Sequence, residues 1–425
     1  MKINKWILLF ASAINVTLSI SQQSFFKTFG DAQTGFVIHA AFESSDSNFH
    51  ITASKVTNNG INGYYLLLDN QGNKLKELDL GTEIYPMAIT EYNKTIFIAG
   101  NEAYATEKFF KFDLKGNLIL DTFYRVNTGE GQLNTNNLCV NKKENTVLMR
   151  GFAASIFGKP RGLSFINIDT SGKRNWYTYF GDSMNTYASG EVFWNPDSNN
   201  YTAVTTCYQT QSAYLIKIDS VGKFISKKSL SISPINPPEC QISRLKSGGF
   251  IMLKLAKDPK SRFANIFVFG IHLSPEGDSL SAVSLGVKNS SIYYGIKFNE
   301  CINGNLIGGD SKRCILTSNK FKETWSRLLV ELDTFGFVQM QSMKQSIDGG
   351  YFTVGNSTNG FGKLLVIKLN SKRELLWSKE IFNDRYKTVT VYPNPANQYL
   401  YIDCNEKDVE VELYNRIRLL TLNRK

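Results

Sequence analysis

Residues that usually carry chemistry are scarce in this 425-residue chain. Its three histidines, His39, His50 and His272, lie far apart and never at ligand spacing. Neither a three-histidine metal centre nor a His-dependent triad is expected from them. The six cysteines, Cys139, Cys207, Cys240, Cys301, Cys314 and Cys404, form no Cys-x-x-Cys pair and keep no regular interval. Zinc and thioredoxin chemistry therefore have no support, and the cysteines read as small buried apolar side chains, with Cys301 and Cys314 placed to face each other across one hairpin if the compartment is oxidising. No Gly-x-Ser-x-Gly, His-Glu-x-x-His, phosphate loop or dinucleotide fingerprint occurs. No catalytic, cofactor-binding or metal residue is assigned, and no cofactor is expected.

Charge is also thin. Only 20% of residues are charged, and the net +11 is spread singly apart from pairs such as Lys142-Lys143 and Lys227-Lys228. Nucleic acid would need that charge gathered into a stripe, so no nucleic-acid partner is expected. A solvated basic surface, weakly attractive to anionic glycans or membrane surfaces, is the simpler reading. Beyond the first 20 residues no segment is apolar enough to span a bilayer, so no membrane span is expected. What is abundant is apolar and aromatic: 42% and 13% of residues, rich in β-branched types, which points to a β-rich globular chain with a large core.

The amino terminus reads as an address. Lys2 and Lys5 precede a mostly apolar stretch from Trp6 to Ile20, and Ser19-Ile20-Ser21 then offers small residues to a signal peptidase. A secretory leader over residues 1–21, cut between Ser21 and Gln22, is expected. The apolar run is interrupted by Ser12, Asn15, Thr17 and Ser19, which argues against a membrane anchor.

Aligned against itself, the chain repeats one phrase. It occurs as Tyr64-Tyr-Leu-Leu-Leu-Asp69-Asn-Gln-Gly72, as Phe109-Phe-Lys-Phe-Asp113-Leu-Lys-Gly116, as Leu163 through Asp169 to Gly172 and as Tyr214 through Asp219 to Gly222. Ser274 replaces Asp before Gly277, and degraded copies surround Asn319 and Asn370. Apolar residues mark a strand, the Asp carboxylate caps a tight turn, and Gly accepts a left-handed backbone. Another strand follows each turn, with Trp176, Trp325 and Trp377 as aromatic markers. Two more precede it, the clearest in Asp348-Gly-Gly-Tyr-Phe-Thr-Val-Gly355.

The first turn residues fall 44 to 56 residues apart, close to the interval of four-stranded propeller blades. A four-stranded unit cannot cover both its faces, and radial packing buries them. The expected fold is all-β, a seven-bladed β-propeller of four-stranded antiparallel blades over residues 22–383, with six or eight blades and a pair of β-sandwiches as alternatives. Asp333-Thr-Phe-Gly336 imitates the turn but falls out of phase. Phe26-Lys-Thr-Phe-Gly30-Asp31 resembles a blade's last strand, Tyr177 to Asp182, and is placed to close the ring, a role for which Trp377 to Phe382 competes.

The copy running from Gln345 through Asp348-Gly-Gly-Tyr351 to Trp377 resembles the Asp-Gly-Gly-Tyr repeats of secreted bacterial propeller proteins. That resemblance implies a β-propeller and no particular function. The Asp-turn-Gly hairpins also invite comparison with the Asp-box of sialidase propellers, but two residues separate Asp169 from Gly172 where that box has one. A structural turn role for Asp69, Gly72, Asp113, Gly116, Asp169, Gly172, Asp219, Gly222 and Gly277 is the expectation.

After a linker over residues 384–388 the pattern changes. Tyr392-Pro393-Asn394-Pro395 makes an abrupt bend before an alternating strand carrying Leu400 and Ile402, and Val411-Glu-Leu-Tyr414-Asn415 is a second alternating strand. Residues 389–425 resemble a shortened C-terminal sorting domain of type IX secretion cargo, a partial β-sandwich. The resemblance implies the type IX secretion machinery as a partner and delivery through the periplasm to the outer surface or the medium. The alternative is a strand pair capping the propeller. Tyrosines near loops, Tyr85, Tyr187 and Tyr293, are candidates to stack on sugars or anchor a protein ligand. The sequence thus points to a monomeric secreted or cell-surface propeller that binds, adheres or scaffolds, with a polysaccharide hydrolase or lyase as the competing class.

Overall fold

A strand apolar on both faces needs a neighbour on each side. In the run Tyr64–Leu68, alternate residues Tyr64, Leu66 and Leu68 join one buried cluster, while Tyr65 and Leu67 join another. The computed structural model shows what those neighbours are. It describes residues 24–30, 34–103, 106–125, 132–154, 162–181, 185–188, 190–207, 209–230, 241–257, 265–289, 298–309, 313–318, 320–328, 338–357 and 362–373, with four short strands of the tail.

Strand β1 (Phe25–Phe29) is followed by blade I, β2 (Gly35–Glu43), β3 (Phe49–Thr57), β4 (Gly60–Leu68) and β5 (Lys74–Thr82). Blade II holds β6 (Ile84–Tyr92), β7 (Thr95–Glu102), β8 (Thr106–Asp113) and β9 (Leu118–Tyr124). Blade III holds β10 (Gln132–Asn141), β11 (Thr146–Ala154), β12 (Gly162–Asp169) and β13 (Arg174–Phe180). In blade IV the inner edge is split into β14 (Tyr187–Ala188) and β15 (Val192–Asn195), both paired with β16 (Asn200–Cys207), then β17 (Ser212–Asp219) and β18 (Phe224–Ser229). Blade V runs β19 (Gln241–Arg244), β20 (Phe250–Lys257), β21 (Asn265–Leu273), β22 (Ser279–Asn289). Blade VI runs β23 (Asn299–Glu300), β24 (Leu306–Gly309), β25 (Arg313–Thr317), β26 (Glu323–Leu328). Blade VII is β27 (Val338–Gln345), β28 (Tyr351–Ser357) and β29 (Leu364–Leu369), completed by β1, which pairs antiparallel with β29 from Phe25↔Lys368 to Phe29↔Leu364.

The fold is thus an all-β propeller of seven four-stranded antiparallel blades. Its ring is closed by the amino-terminal strand, as the likeness of Phe26–Asp31 to a blade's last strand suggested; the competing segment Trp377 to Phe382 lies outside the described residues.

The core is divided rather than central. Seven buried clusters each join one blade to the next: Phe49 and Leu66 of blade I meet Phe352 and Val366 of blade VII, and Phe165 and Leu163 of blade III meet Tyr201 and Ile216 of blade IV. Fully burying one such aromatic or aliphatic side chain is worth roughly 1.5–3 kcal/mol, and no blade hides its faces alone.

Two turn series alternate around the ring. In the outer series, between a blade's third and fourth strands, Asp69 Oδ1 accepts the Gln71 and Asn73 amides at 2.8 Å, and Asp113, Asp169 and Asp219 act in the same way. Gly72, Gly116, Gly172, Gly222 and Gly277 close these turns with φ between 72° and 91°. In blade VI the structure corrects the register read from sequence: the turn begins at Ser318 rather than Asn319, and Phe321 takes the glycine's place with φ 58°. The inner series joins first and second strands; there Asp348 of the Asp-Gly-Gly turn forms an ion pair with buried Lys368 at 2.7 Å.

The tail contributes two hairpins, β30 (Thr390–Pro393) with β31 (Leu400–Asp403) and β32 (Val411–Tyr414) with β33 (Leu419–Leu422). Among the described residues no helix is long and apolar enough to cross a membrane. Residues 1–21, including the cleavage site before Gln22, and the linker 384–388 lie outside the described residues.

Candidate functional site

The inner strands do not run straight. In β2 the register slips between Ile38 and Ala40, leaving His39 as an extra residue, and in β10 it slips between Thr135 and Asn137, leaving Asn136. Strand β6 slips between Tyr85 and Ala88, and β27 between Met340 and Ser342. In blade IV, Gly190 sits in the break between β14 and β15, its backbone so close to Val204 that a Cβ would lie 1.8 Å from the Val204 carbonyl oxygen. A bulge bends its strand and re-aims a side chain. Each of these irregularities falls four or five residues before its strand's last paired residue, so they form a belt at one height.

The belt surrounds a central cavity of about 1140 Å³, lined by His39, Met87, Asn136 and Gly190 among others. The cavity is more basic than acidic. Lys142, Lys143, Arg244 and Lys344 line it, against Glu91 and Glu191. Behind the belt, wholly buried Arg150 donates Nη1 to Asn136 Oδ1 and to the Gly190 carbonyl, both at 3.0 Å, and burial pulls its guanidinium down to about 10. Arg244 donates to the Trp194 carbonyl at 2.5 Å and lies over the Phe193 ring. Lys143 Nζ donates to Asn199 Oδ1 at 2.9 Å. His39 pairs through Nε2 with Ser54 Oγ at 2.7 Å, and burial lowers its pKa to about 4, so it is neutral at physiological pH.

Glu91 stands at the mouth formed by the inner turns, where it accepts the Ser45 amide at 2.7 Å and the Ser45 hydroxyl. The same device recurs at three other interfaces. Glu43 accepts the Ile347 amide at 2.8 Å, Glu300 accepts the Lys246 amide at 2.5 Å, and Gln345 accepts the Ile302 amide at 2.6 Å. At each, an acyl side chain just before one inner turn holds the inner turn of the preceding blade. Sequence reasoning missed both the belt and these latches. The latches left a signal, an acidic or amide residue directly before the turn; the bulges left none, because strand and bulge residues differ only in pairing.

The residues singled out from sequence do not meet at the cavity. The Asp and Gly of the outer turns sit on the rim, and their carboxylates are engaged by their own turn amides. Tyr187, expected near a loop as a stacking residue, is instead fully buried. Its hydroxyl accepts Lys227 Nζ at 2.6 Å, and that ammonium lies over the Tyr187 ring, 5.0 Å from its centre, so the ring is already occupied. Tyr85 is half-buried on β6, and Tyr293 lies outside the described residues. His50 is buried between Tyr65 Oη and Ser44 Oγ at 2.7 and 2.9 Å, and His272 packs on Phe321, so the three histidines occupy three environments.

Cys139, Cys207 and Cys301 are free and buried. Cys301 precedes the turn into β24, whereas Cys314 pairs with Gly309 at the far end of that strand; they do not face each other across a hairpin. Among the described residues no group of three or more His, Cys, Asp or Glu side chains is arranged to hold a metal. In the tail, Tyr392 and Pro393 pair with Tyr401 and Leu400, and Val391 pairs with Ile402; Asn394 and Pro395 lie outside the described residues.

No protein-family model matches the sequence, and no curated protein matches it. Solved structures share the fold. The polysaccharide lyase Uly1 superposes with a TM-score of 0.51 at 8% identity, over 82% of this chain and 99% of that one. The WD40 domain of Toxoplasma gondii coronin gives 0.49 at 10% identity, over 82% and 86%. A Bacteroides caccae protein of unknown function gives 0.42 at 13% identity, over 67% and 92%. At such identities the likeness concerns the fold alone.

Proposed function

We propose that this chain is an exported propeller that works by binding, with the central channel as its ligand site. The observation that carries this reading is the belt of bulges, which turns otherwise regular inner strands so that polar and basic side chains line one cavity of ligand size. Backbone irregularity at one height in five blades is expensive in lost pairing, and its product is a lined channel. The competing reading in its hydrolase form asks for two carboxylates flanking one glycosidic bond, within roughly 5–9.5 Å of each other. Glu91 lies beside the inner-turn mouth on blade II, while Glu191 lies before β15 on blade IV, about 10 Å deeper along the strands and beside a different blade. That arrangement favours holding a ligand over hydrolysing it.

Export belongs to the same proposal. The leader at residues 1–21 and the Tyr392-Pro-Asn-Pro395 tail, with its two hairpins, support passage through a type IX route to the cell surface or medium. Binding is tested by a glycan and protein-ligand array on the full chain and on Asn136→Trp, which fills the belt. Ligands retained by both proteins would remove the channel from the proposal. Export is tested by deleting residues 384–425 in the native host: periplasmic retention is expected, and normal surface delivery would refute the sorting role.

A further inference from the structure

The channel's cations differ in what the chain gives them. Arg150 has the Asn136 amide oxygen and the Gly190 carbonyl, Arg244 has the Trp194 carbonyl, Lys143 has Asn199, nearby Lys368 has the Asp348 carboxylate, and Lys142 is exposed to solvent. Lys344 lines the same cavity, from the blade VII wall that adjoins His39 and Ala40 of blade I. Its cross-strand partner is the apolar Phe352. Among the described residues no hydrogen-bond acceptor or carboxylate reaches its ammonium.

A half-buried ammonium on the channel wall, with no acceptor from the described residues, is one that an incoming anion stabilises. Resting on the binding role proposed above, we infer that the channel receives the carboxylate of an acidic saccharide and that Lys344 is the residue that takes it. A saccharide fits better than a peptide because the Arg244 guanidinium, lying over the half-buried Phe193 ring, presents a flat face beside the Asn137 side chain, whose oxygen already accepts the Val192 amide. Burial holds the Lys344 amine below its ordinary pKa, so the charged form gains most when an anion arrives. Glu91 does not supply that anion, because both its oxygens are engaged by Ser45.

The test is calorimetric titration of the full chain with three probes: a short oligogalacturonate, its neutral methyl ester, and tetraglutamate. The acid oligomer is expected to bind, with the ester weaker by about tenfold or more. Lys344→Met should lose about the same factor, while Lys344→Arg keeps most of the affinity. Melting temperatures of both variants without ligand show that they fold, and the methionine variant should melt no lower than the parent. Protection of Lys344 from acylation by the acid oligomer gives a second readout. Equal binding of acid and ester, unchanged binding by Lys344→Met, or preference for tetraglutamate would each overturn the inference. The first of these would leave the binding role intact, whereas failure of every array ligand would remove both.

Discussion

In blades I, V, VI and VII the inner turn repeats the hydrogen-bond pattern of the outer turns, and the two series are held by opposite means. Outer turns lean on the preceding blade through contact. A Cβ on Gly172 would lie 2.3 Å from Leu120, one on Gly222 2.6 Å from Trp176, and one on Gly72 2.6 Å from Phe25 of the closing strand. At the matching left-handed position two inner turns stand clear: a Cβ on Gly248 would find only Pro275 Cγ at 3.7 Å, and one on Gly304 only Glu300 Oε1 at 4.0 Å. The inner turns are gripped by polar side chains of the following blade, Glu43, Glu91, Glu300 and Gln345. The outer rim is therefore a packing problem that admits few residues, and repeats visibly. The inner rim is a hydrogen-bonding problem with many solutions, and it borders the channel.

The largest effect should come from Gly172→Val. Its φ of +91° and the Leu120 contact act together, and the loss should be about 3–5 kcal/mol by chemical denaturation. The same change at Gly304, where φ is +78° with open space, should cost about 1–3 kcal/mol. Equal losses would erase the distinction between the two series.

Titration sharpens the comparison, because the inner system depends on buried ionisable groups. Burial chiefly lowers His50, which braces the Ser44 turn, to about 4 from 6.5, and does the same to His39. Their contribution is complete above pH 6.5 and is lost as pH falls through about 4, worth about 1–3 kcal/mol per residue. His50→Gln should flatten that acid limb, and an unchanged limb would refute the role of His50. Glu107 of β8 runs the other way. Wholly buried and bonded to Thr135 of the inner strand β10, it is raised by desolvation to about 8. Its contribution is full below pH 4.5 and is lost as pH rises through about 8, so Glu107→Gln should stabilise the protein by about 2 kcal/mol on the alkaline side. Stability-pH profiles of the two proteins would show whether the difference grows with pH.

The smallest effect is expected at the latches. Glu43→Ala should cost about 1 kcal/mol globally, and hydrogen exchange should show faster opening at Ile347, across the junction that closes the ring. Unaltered exchange there would mean that β1 alone secures the closure.

Much of the fold was legible because its constraint is local. An Asp whose carboxylate caps its own turn and a Gly with a left-handed backbone leave the same phrase wherever the turn recurs, and the continuous run Tyr64 to Leu68 betrays a strand buried on both faces. Blade VI shows the limit: with Phe321 in the glycine's place, the phrase lost its marker and the turn was read one residue late. Tyr187 shows another, since tyrosine near a loop looks the same whether its ring is open or covered by Lys227.

The amino-acid order by itself determined the repeat, the strand count of each blade, the turn chemistry and the likeness of the first strand to a fourth strand of a blade. These follow from backbone preferences and alternation, which act over a few residues. Tertiary structure alone decided which blade face each apolar residue meets, where the inner strands bulge, and that Lys344 enters the channel without an acceptor among the described residues. Register and enclosure arise only when seven distant segments close around one axis, and no short stretch of chain encodes them.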